Sequence, residues 1–326
     1  MHSSKKWEAN VVSICPTFDL ALLTLKEKDS FMDELAAKDM RLRPLELSSG
    51  AATMGHPVVA LGFPLGMDSL KISAGVVAGN EEVQGNVCIQ STAPISPGSS
   101  GGPLLNEDGT KVVGVNFAKS ADSSAENINY VIPAWRVKSL LSTYKARVTE
   151  SAGGDPTRYM IRVPSSNAVT VEANGALRKM SNCSSGLFIA ALSPSSFFAH
   201  AEPPVPPHSF LTKVKGRPID EFGMGMEEDY CADRVKYTDL FFMQDDLEGV
   251  VEVEACQNGV LSTHKVPLAW QKTYETGIQY VEEPSFETKL TEYEMFGEIS
   301  VMQMTMNHIE LFYRGRGERP QAERSC

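Results

Sequence analysis

The segment from Ile95 to Ala118, ISPGSSGGPLLNEDGTKVVGVNFA, constrains the fold of this chain more than any other stretch. It places Ser100 inside a Gly-x-Ser-Gly-Gly turn, where the glycines allow positive φ angles and close backbone approach. Such a turn can expose a serine hydroxyl and point amide N–H groups at a developing oxyanion. Apolar runs on both sides of Asp108-Gly109 predict a β-hairpin directly after the turn. The serine therefore lies in an all-β setting.

The same glycines also fit the Gly-x-Ser-x-Gly elbow of α/β-hydrolases. That elbow requires a helix directly after the serine. Pro103 and the Asp-Gly hairpin follow Ser100 instead, which argues against an esterase. A Ser/Gly-rich surface turn without any chemistry stays open for the motif taken alone.

An aspartate upstream of the serine supports the catalytic interpretation. Asp19 opens the apolar run Leu20-Ala21-Leu22-Leu23, where burial of a carboxylate would need a partner. The order of aspartate before serine matches the chymotrypsin arrangement. Short apolar runs at 58–63, 73–77 and 87–90, separated by Gly and Pro, predict a β-barrel or sandwich.

Six segments carry a resemblance to a known family: FDLALLTL, VVALGFPLG, SAGVV, ISPGSSGGPLLN, GVNFA and INYVIP, in this order. Over residues 8–145 the chain resembles the HtrA/Deg family of trypsin-like serine proteases. The resemblance implies a mainly β protein with a chymotrypsin-type double β-barrel, of which the first barrel is incomplete here. It also implies a serine endopeptidase that hydrolyses unfolded or damaged proteins without a cofactor or a metal ion.

The resemblance also implies residue roles. Ser100 would be the nucleophile and Asp19 the charge that orients the general base. The oxyanion hole would be formed by the backbone N–H groups of Gly98 and Ser100, with that of Ser99 between them. The strand that lines the primary specificity pocket has no acidic residue, which favours apolar substrate side chains. Its three aligned residues are Val115, Asn116 and Phe117.

The histidine of the triad has no match in the family's position. His2 is the sole histidine before Asp19, and because no strand precedes it we expect an ordinary terminal residue. His56 follows Asp19, so its order is wrong. We expect that the chain begins inside the first barrel and that the histidine lies upstream of Met1. The alternative is a protease-like protein without activity, which acts as a PDZ-containing chaperone or scaffold.

A second module is predicted after a closing helix at 133–141 and a linker at 151–156. Ser185-Gly186-Leu187-Phe188 leads into an apolar strand and resembles a PDZ domain of the Deg type. The resemblance implies that amides of Gly186, Leu187 and Phe188 bind the C-terminal carboxylate of a peptide, which adds as a strand to the exposed edge. An ordinary strand start is the alternative.

The predicted organisation has four parts: a trypsin-like domain at 1–148, a PDZ-like domain at 157–272, a partial second PDZ-like segment at 273–313 and a disordered tail at 314–326. The alternating apolar pattern near Tyr293 to Ile309 predicts strands whose methionines fill a core.

Composition limits the classes of partner. The formal net charge of -11 argues against a nucleic-acid surface, and no apolar run is long enough for a transmembrane helix. The six cysteines show no C-x-x-C spacing, which favours small buried hydrophobes and a reducing, intracellular compartment. The expected partners are unfolded or C-terminal peptide segments, and the family's habit predicts a trimer-based homo-oligomer.

Overall fold

The structure is a computed structural model. It describes residues 6–48, 52–83, 86–119, 128–150, 159–230, 233–269, 271, 293–296, 299–302, 304–305, 308–309 and 311–312. The chain divides into two compact units: unit 1 comprises Met1–Ile161 and Met224–Leu247, and unit 2 comprises Arg162–Gly223 and Glu248–Cys326. The predicted linker at 151–156 and the predicted tail at 314–326 lie outside the described residues.

The elements follow in chain order. The strands are β1 (Ala9–Cys15), β2 (Leu20–Leu25), β3 (Glu46–Leu47), β4 (Pro57–Gly62), β5 (Lys71–Val83), β6 (Asn86–Ser91), β7 (Pro103–Asn106), β8 (Lys111–Lys119), β9 (Asn129–Pro133), β10 (Tyr159–Met160), β11 (Ala168–Val171), β12 (Leu187–Leu192), β13 (Ser209–Val214), β14 (Arg217–Pro218), β15 (Met224–Glu227), β16 (Asp233–Lys236), β17 (Val250–Gln257), β18 (Val260–Pro267), β19 (Tyr293–Phe296) and β20 (Ile299–Met302). The helices are α1 (Lys28–Ala37), α2 (Ala134–Glu150), α3 (Gly175–Ser181) and α4 (Tyr237–Phe242).

Six strands of unit 1 close into a barrel. They are hydrogen-bonded in the order β8-β7-β4-β5-β6-β9, and β9 pairs back with β8. Alternate residues face inward, so that Val58 and Ala60 of β4 join Val77, Ile89 and Leu104 in the core. Closure leaves no free edge among these strands. The mainly β, barrel-forming prediction for this part of the chain is confirmed.

A smaller sheet precedes the barrel in unit 1. β1 and β2 form an antiparallel hairpin through a 3-10 turn at Pro16–Phe18, and Asp19 directly follows that turn. β10 adds to β1 in parallel, with Ser13 opposite Tyr159. We expected the strand at 159 to open the second module, but in the structure it pairs within unit 1.

The helix predicted from Pro133 is present as α2 and extends to Glu150. Residues 224–247, from the middle of the predicted second module, pack against it within unit 1. The Ser139 hydroxyl donates to the Gln244 carbonyl, and the Leu247 amide donates to the Thr143 hydroxyl at 2.9 Å. Five of the six residues of α4 are buried: Tyr237, Asp239, Leu240, Phe241 and Phe242.

Unit 2 is built on an open sheet with the order β11-β12-β13-β17-β18, and β14 pairs with β13. A disulfide joins Cys183, after α3, to Cys256 on β17, with their Cα atoms 6.0 Å apart. The expectation that the cysteines serve only as small buried hydrophobes is therefore wrong for these two, whereas Cys15 and Cys88 are buried and form no disulfide. Cys183 and Cys256 are separated by 73 residues, and this spacing did not indicate that they pair.

In the stretch with many methionines, β19 and β20 form an antiparallel hairpin, as the alternating pattern predicts. Residues 272–292 lie outside the described residues. No helix in the described part of the chain is both long and apolar enough to cross a membrane.

Candidate active site

The loop that carries Ser100 is held against β8 by two backbone hydrogen bonds. The Gly101 amide donates to the Asn116 carbonyl at 2.8 Å, and the Asn116 amide donates to the Gly102 carbonyl at 2.9 Å. Gly98 and Gly101 have φ angles of 94° and 82°, which glycine adopts at little cost. The glycines of the motif therefore fold the loop sharply while it stays attached to the barrel.

Two of the three predicted oxyanion-hole amides are available. The Ser99 amide donates to the Ser96 carbonyl at 2.9 Å, so it is used within the turn. In the described part of the chain, the amides of Gly98 and Ser100 have no hydrogen-bond acceptor. Unbonded N–H groups are the donors that an oxyanion at this loop would need.

The Ser100 hydroxyl is exposed and donates to the Phe117 carbonyl at 3.0 Å. A backbone carbonyl accepts this hydrogen bond but cannot remove the proton, so the contact orients the hydroxyl without activating it. Of the predicted specificity residues, Val115 lies opposite Pro103 and Ile132 in the barrel. The Asn116 side chain is buried, so the backbone of that residue is the part that meets the serine loop.

Asp19 adopts the left-handed conformation with φ 50°, and its amide closes the preceding turn by donating to the Pro16 carbonyl at 3.0 Å. Partial burial raises the pKa of the Asp19 carboxyl. No hydrogen bond to this carboxyl comes from the described residues. Asp19 and Phe117 line the same cavity of about 40 Å³. Phe117 thus lines the Asp19 cavity and also accepts the hydrogen bond from Ser100.

None of the described histidines hydrogen-bonds to Asp19 or Ser100. His264 contacts the Ser262 hydroxyl and the Pro203 carbonyl, and His308 contacts Thr305. His56 lies in the turn before β4, and its carbonyl accepts from the Val77 amide. His2 lies outside the described residues. A base for Ser100 is therefore absent among the contacts of the described part of the chain.

Sequence reasoning missed Arg136, which is only 1% exposed. Its guanidinium lies 4.1 Å from the ring centre of Phe18 and 4.6 Å from that of Trp135, and Nη2 is 3.2 Å from Asp239 Oδ1. Phe18 immediately precedes Asp19, so this buried ion pair supports the turn that carries the candidate aspartate. No sequence spacing connects Arg136 with Asp239, which follows 103 residues later.

Burial also shifts the pKa values of the acidic groups at and beside the Arg136–Asp239 pair. Burial raises the pKa of Asp239, and the Arg136 charge opposes that shift. Burial also raises the pKa of the Cys88 thiol to about 11, again against the effect of Arg136. Cys88 is therefore a protonated, unreactive thiol at neutral pH, although it lines the Asp19 cavity.

The predicted peptide edge in unit 2 requires a correction. β12 is flanked on both sides: Phe188 lies opposite Val171 of β11 and opposite Phe210 of β13. Gly186, with φ 108°, packs so closely that an added Cβ would lie 2.4 Å from the Leu211 carbonyl oxygen. Because neither edge of β12 is free at Phe188, a peptide cannot add as a strand beside that residue as predicted. The structure supports the alternative, an ordinary strand start.

Known proteins share this barrel and loop. The model of the trypsin-like peptidase domain matches residues 1–115. Over these residues the chain is therefore similar to a trypsin-like peptidase domain. Protease Do-like 4, mitochondrial, of Arabidopsis thaliana is 35% identical over 146 residues, which are 43% of this chain and 26% of that protein. Serine protease Do-like HtrA of Bacillus subtilis is 42% identical over 97 residues, 26% of this chain and 21% of the relative.

By these similarities the chain resembles HtrA/Deg-type serine proteases, and it spans about a quarter of the length of the two curated relatives. A solved structure of the HtrA-type protease AlgW with decapeptide shares the fold with a TM-score of 0.51 and 16% identity, covering 81% of this chain and 71% of AlgW. AlgW with tripeptide gives a TM-score of 0.52 over 79% of this chain and 76% of AlgW.

Proposed function

We propose that this protein is a serine endopeptidase of the Deg/HtrA type that cleaves unfolded or damaged polypeptides. One observation carries the proposal: an exposed serine hydroxyl lies in a loop whose flanking amides, at Gly98 and Ser100, are free of acceptors among the described residues. In trypsin-like proteases this arrangement stabilises the tetrahedral intermediate of acyl transfer. Ser100 is the nucleophile in this proposal.

The proposed reaction has two stages. The Ser100 oxygen attacks the peptide carbonyl carbon, a histidine base takes the serine proton, and the carbonyl oxygen becomes negative between the Gly98 and Ser100 amides. The leaving amine then takes the proton, and water hydrolyses the acyl-enzyme to release the acid and free Ser100. Asp19 holds the imidazole and stabilises its charged form. The turn that carries Asp19, in which Phe18 contacts Arg136, supports this role.

Substrate preference follows from the specificity strand. Val115, Asn116 and Phe117 include no charged residue, so the proposed pocket accepts small or medium apolar side chains. The AlgW structures contain a decapeptide or a tripeptide, which agrees with a peptide as the proposed class of ligand. Trimer-based assembly is a further part of the proposal and follows from the family resemblance.

Chemical rescue tests the nucleophile with the chain as it exists. Residues 1–326 alone should give no more than trace hydrolysis of casein, because no described histidine contacts Ser100. Added imidazole should accelerate hydrolysis of p-nitrophenyl acetate by the chain beyond its effect on Ser100→Ala. Because imidazole also attacks the ester directly, the difference between the two proteins is the measured quantity. Equal rates would contradict the assignment of Ser100.

The second candidate is a chaperone or scaffold without catalysis. It is favoured by the hydrogen bond from the Ser100 hydroxyl to the Phe117 carbonyl, an acceptor that does not activate the serine. Binding of unfolded casein, together with equal rates for the chain and Ser100→Ala in imidazole, would support this candidate over the endopeptidase.

A further inference from the structure

The loop between β4 and β5 carries exposed apolar side chains directly beside the serine loop. We name Phe63, Leu65, Met67 and Leu70 the hydrophobic tip. Their exposed fractions are 48%, 70%, 47% and 44%. The last pair of the β4–β5 ladder, Gly62 opposite Lys71, closes the loop. Since the eight loop residues run out and back, the tip extends at most about 14 Å from that pair.

The tip is joined to the proposed oxyanion hole through the backbone. The Leu65 amide donates to the Pro97 carbonyl at 2.6 Å. An added Cβ at Gly98 would lie 2.6 Å from the Phe63 carbonyl oxygen and 3.2 Å from the Leu65 nitrogen. The Gly98 amide and the tip are therefore immediate neighbours. Any polypeptide whose carbonyl oxygen binds that amide must pass close to the tip.

Leu65 has a conformation that its side chain disfavours. Its φ of 57° and ψ of 26° are left-handed, a region where glycine and asparagine are tolerated and leucine costs about 1 kcal/mol or more. The same leucine is the most exposed member of the tip. A strained position that displays an apolar side chain to solvent adds nothing to folding stability, which points to a role in binding.

We propose that the hydrophobic tip binds apolar side chains of the extended polypeptide substrate next to the bond that Ser100 attacks. This inference rests on the proposed function and names its substrate class: segments whose apolar residues are exposed because the protein is unfolded. The loop 63–70 contains one charged residue, Asp68, so electrostatics does not select a charged partner there. A protruding loop also suits a polypeptide better than a small molecule, which needs a concave site.

The test measures binding without cleavage. Fluorescein-labelled β-casein is titrated by fluorescence anisotropy with the full chain carrying Ser100→Ala, with and without Leu65→Asn and Met67→Gln. Loss of two apolar contacts should weaken binding at least about fivefold. Leu65→Asn should not lower the melting temperature, because asparagine tolerates the left-handed conformation. The matched control, Val260→Thr with Leu261→Gln, changes residues that are 67% and 59% exposed at the β17–β18 hairpin. It should change the affinity by less than twofold.

Equal casein affinity with and without the tip substitutions would overturn the inference. Sedimentation velocity addresses a second copy of the chain as the occupant: dissociation of an oligomer by the tip substitutions, with unchanged casein affinity, would also overturn it. The proposed function fails separately. Equal imidazole-dependent rates on p-nitrophenyl acetate for the parent chain and Ser100→Ala would refute the nucleophile and leave the effect of the tip substitutions on casein binding intact.

Discussion

Two glycine turns, each directly before a strand, lie in different environments. In unit 1, the Ser100 loop is bonded to β8 on one side and leaves the Gly98 and Ser100 amides free of acceptors among the described residues. In unit 2, Gly186 packs onto the Leu211 carbonyl and leads into a strand with neighbours on both sides. A glycine turn thus makes amides available only when the surrounding sheet leaves one side open.

The Asp19 turn of unit 1 and the Gly186 turn of unit 2 also differ in what holds them in place. The Asp19 turn is supported by the buried Arg136–Asp239 pair. Asp19 lines the same cavity as Phe117, whose carbonyl accepts the hydrogen bond from Ser100. The Gly186 turn follows three residues after Cys183, which is covalently fixed to β17. One region depends on electrostatics in a buried site and the other on a covalent bond. Four measurements test these differences.

The largest effect is expected for Asp239→Ala. It leaves the buried Arg136 charge without its partner, which should lower the free energy of unfolding of unit 1 by about 3–5 kcal/mol. Urea unfolding followed by tryptophan fluorescence measures this loss. As the control, replacing both partners (Arg136→Met with Asp239→Leu) should recover much of the stability. A loss below about 1 kcal/mol for Asp239→Ala would show that the pair does not anchor the Asp19 turn.

Reduction of the Cys183–Cys256 disulfide should lower the stability of unit 2 by about 2–4 kcal/mol, because the bond restricts the unfolded chain. Differential scanning calorimetry with and without a phosphine reductant gives the shift. Unit 1 serves as the internal control, since its Cys15 and Cys88 form no disulfide. A reductant effect confined to unit 1 would contradict the expectation.

Gly186→Ala should cost about 2–3 kcal/mol, since the new methyl group would approach the Leu211 carbonyl oxygen and φ is positive. Gly101→Ala is the matched control: its φ is also positive, but an added Cβ meets nothing within 4 Å. It should cost only about 1 kcal/mol. Urea titration of both variants compares them. Equal losses of unfolding free energy in the two variants would contradict a packing difference between the Ser100 and Gly186 turns.

The smallest effect is the pH dependence due to Asp19. Because burial raises its folded-state pKa above the ordinary value of about 3.8, the folded protein binds the proton more tightly and loses stability as pH rises through this range. Asp19→Asn should therefore be more stable than the parent at pH 7, by less than about 1 kcal/mol since the carboxyl is partly exposed. At pH 3 the two should unfold alike. If the parent were more stable than Asp19→Asn at pH 7, the expected direction of the Asp19 pKa shift would be wrong.

Several features could be predicted because their causes are local in the chain. The Asp108-Gly109 hairpin, the helix after Pro133 and the strand after Asp19 follow from turn chemistry, proline placement and apolar runs. The family motifs also indicated Ser100 as the candidate nucleophile. The neighbours of β12 could not be predicted in this way, because strand pairing depends on segments far apart in sequence.

The sequence by itself determined the barrel class and the serine loop, since glycine conformations and alternating apolar residues act over a few positions. Three features depend on the tertiary structure: which amides lack an acceptor, the packing of residues 224–247 onto α2, and the bond between Cys183 and Cys256. The tertiary structure also brought Asp239 to Arg136 beneath Phe18. These outcomes depend on the burial of groups that lie tens to a hundred residues apart, and burial is a property of the packed molecule rather than of any local segment.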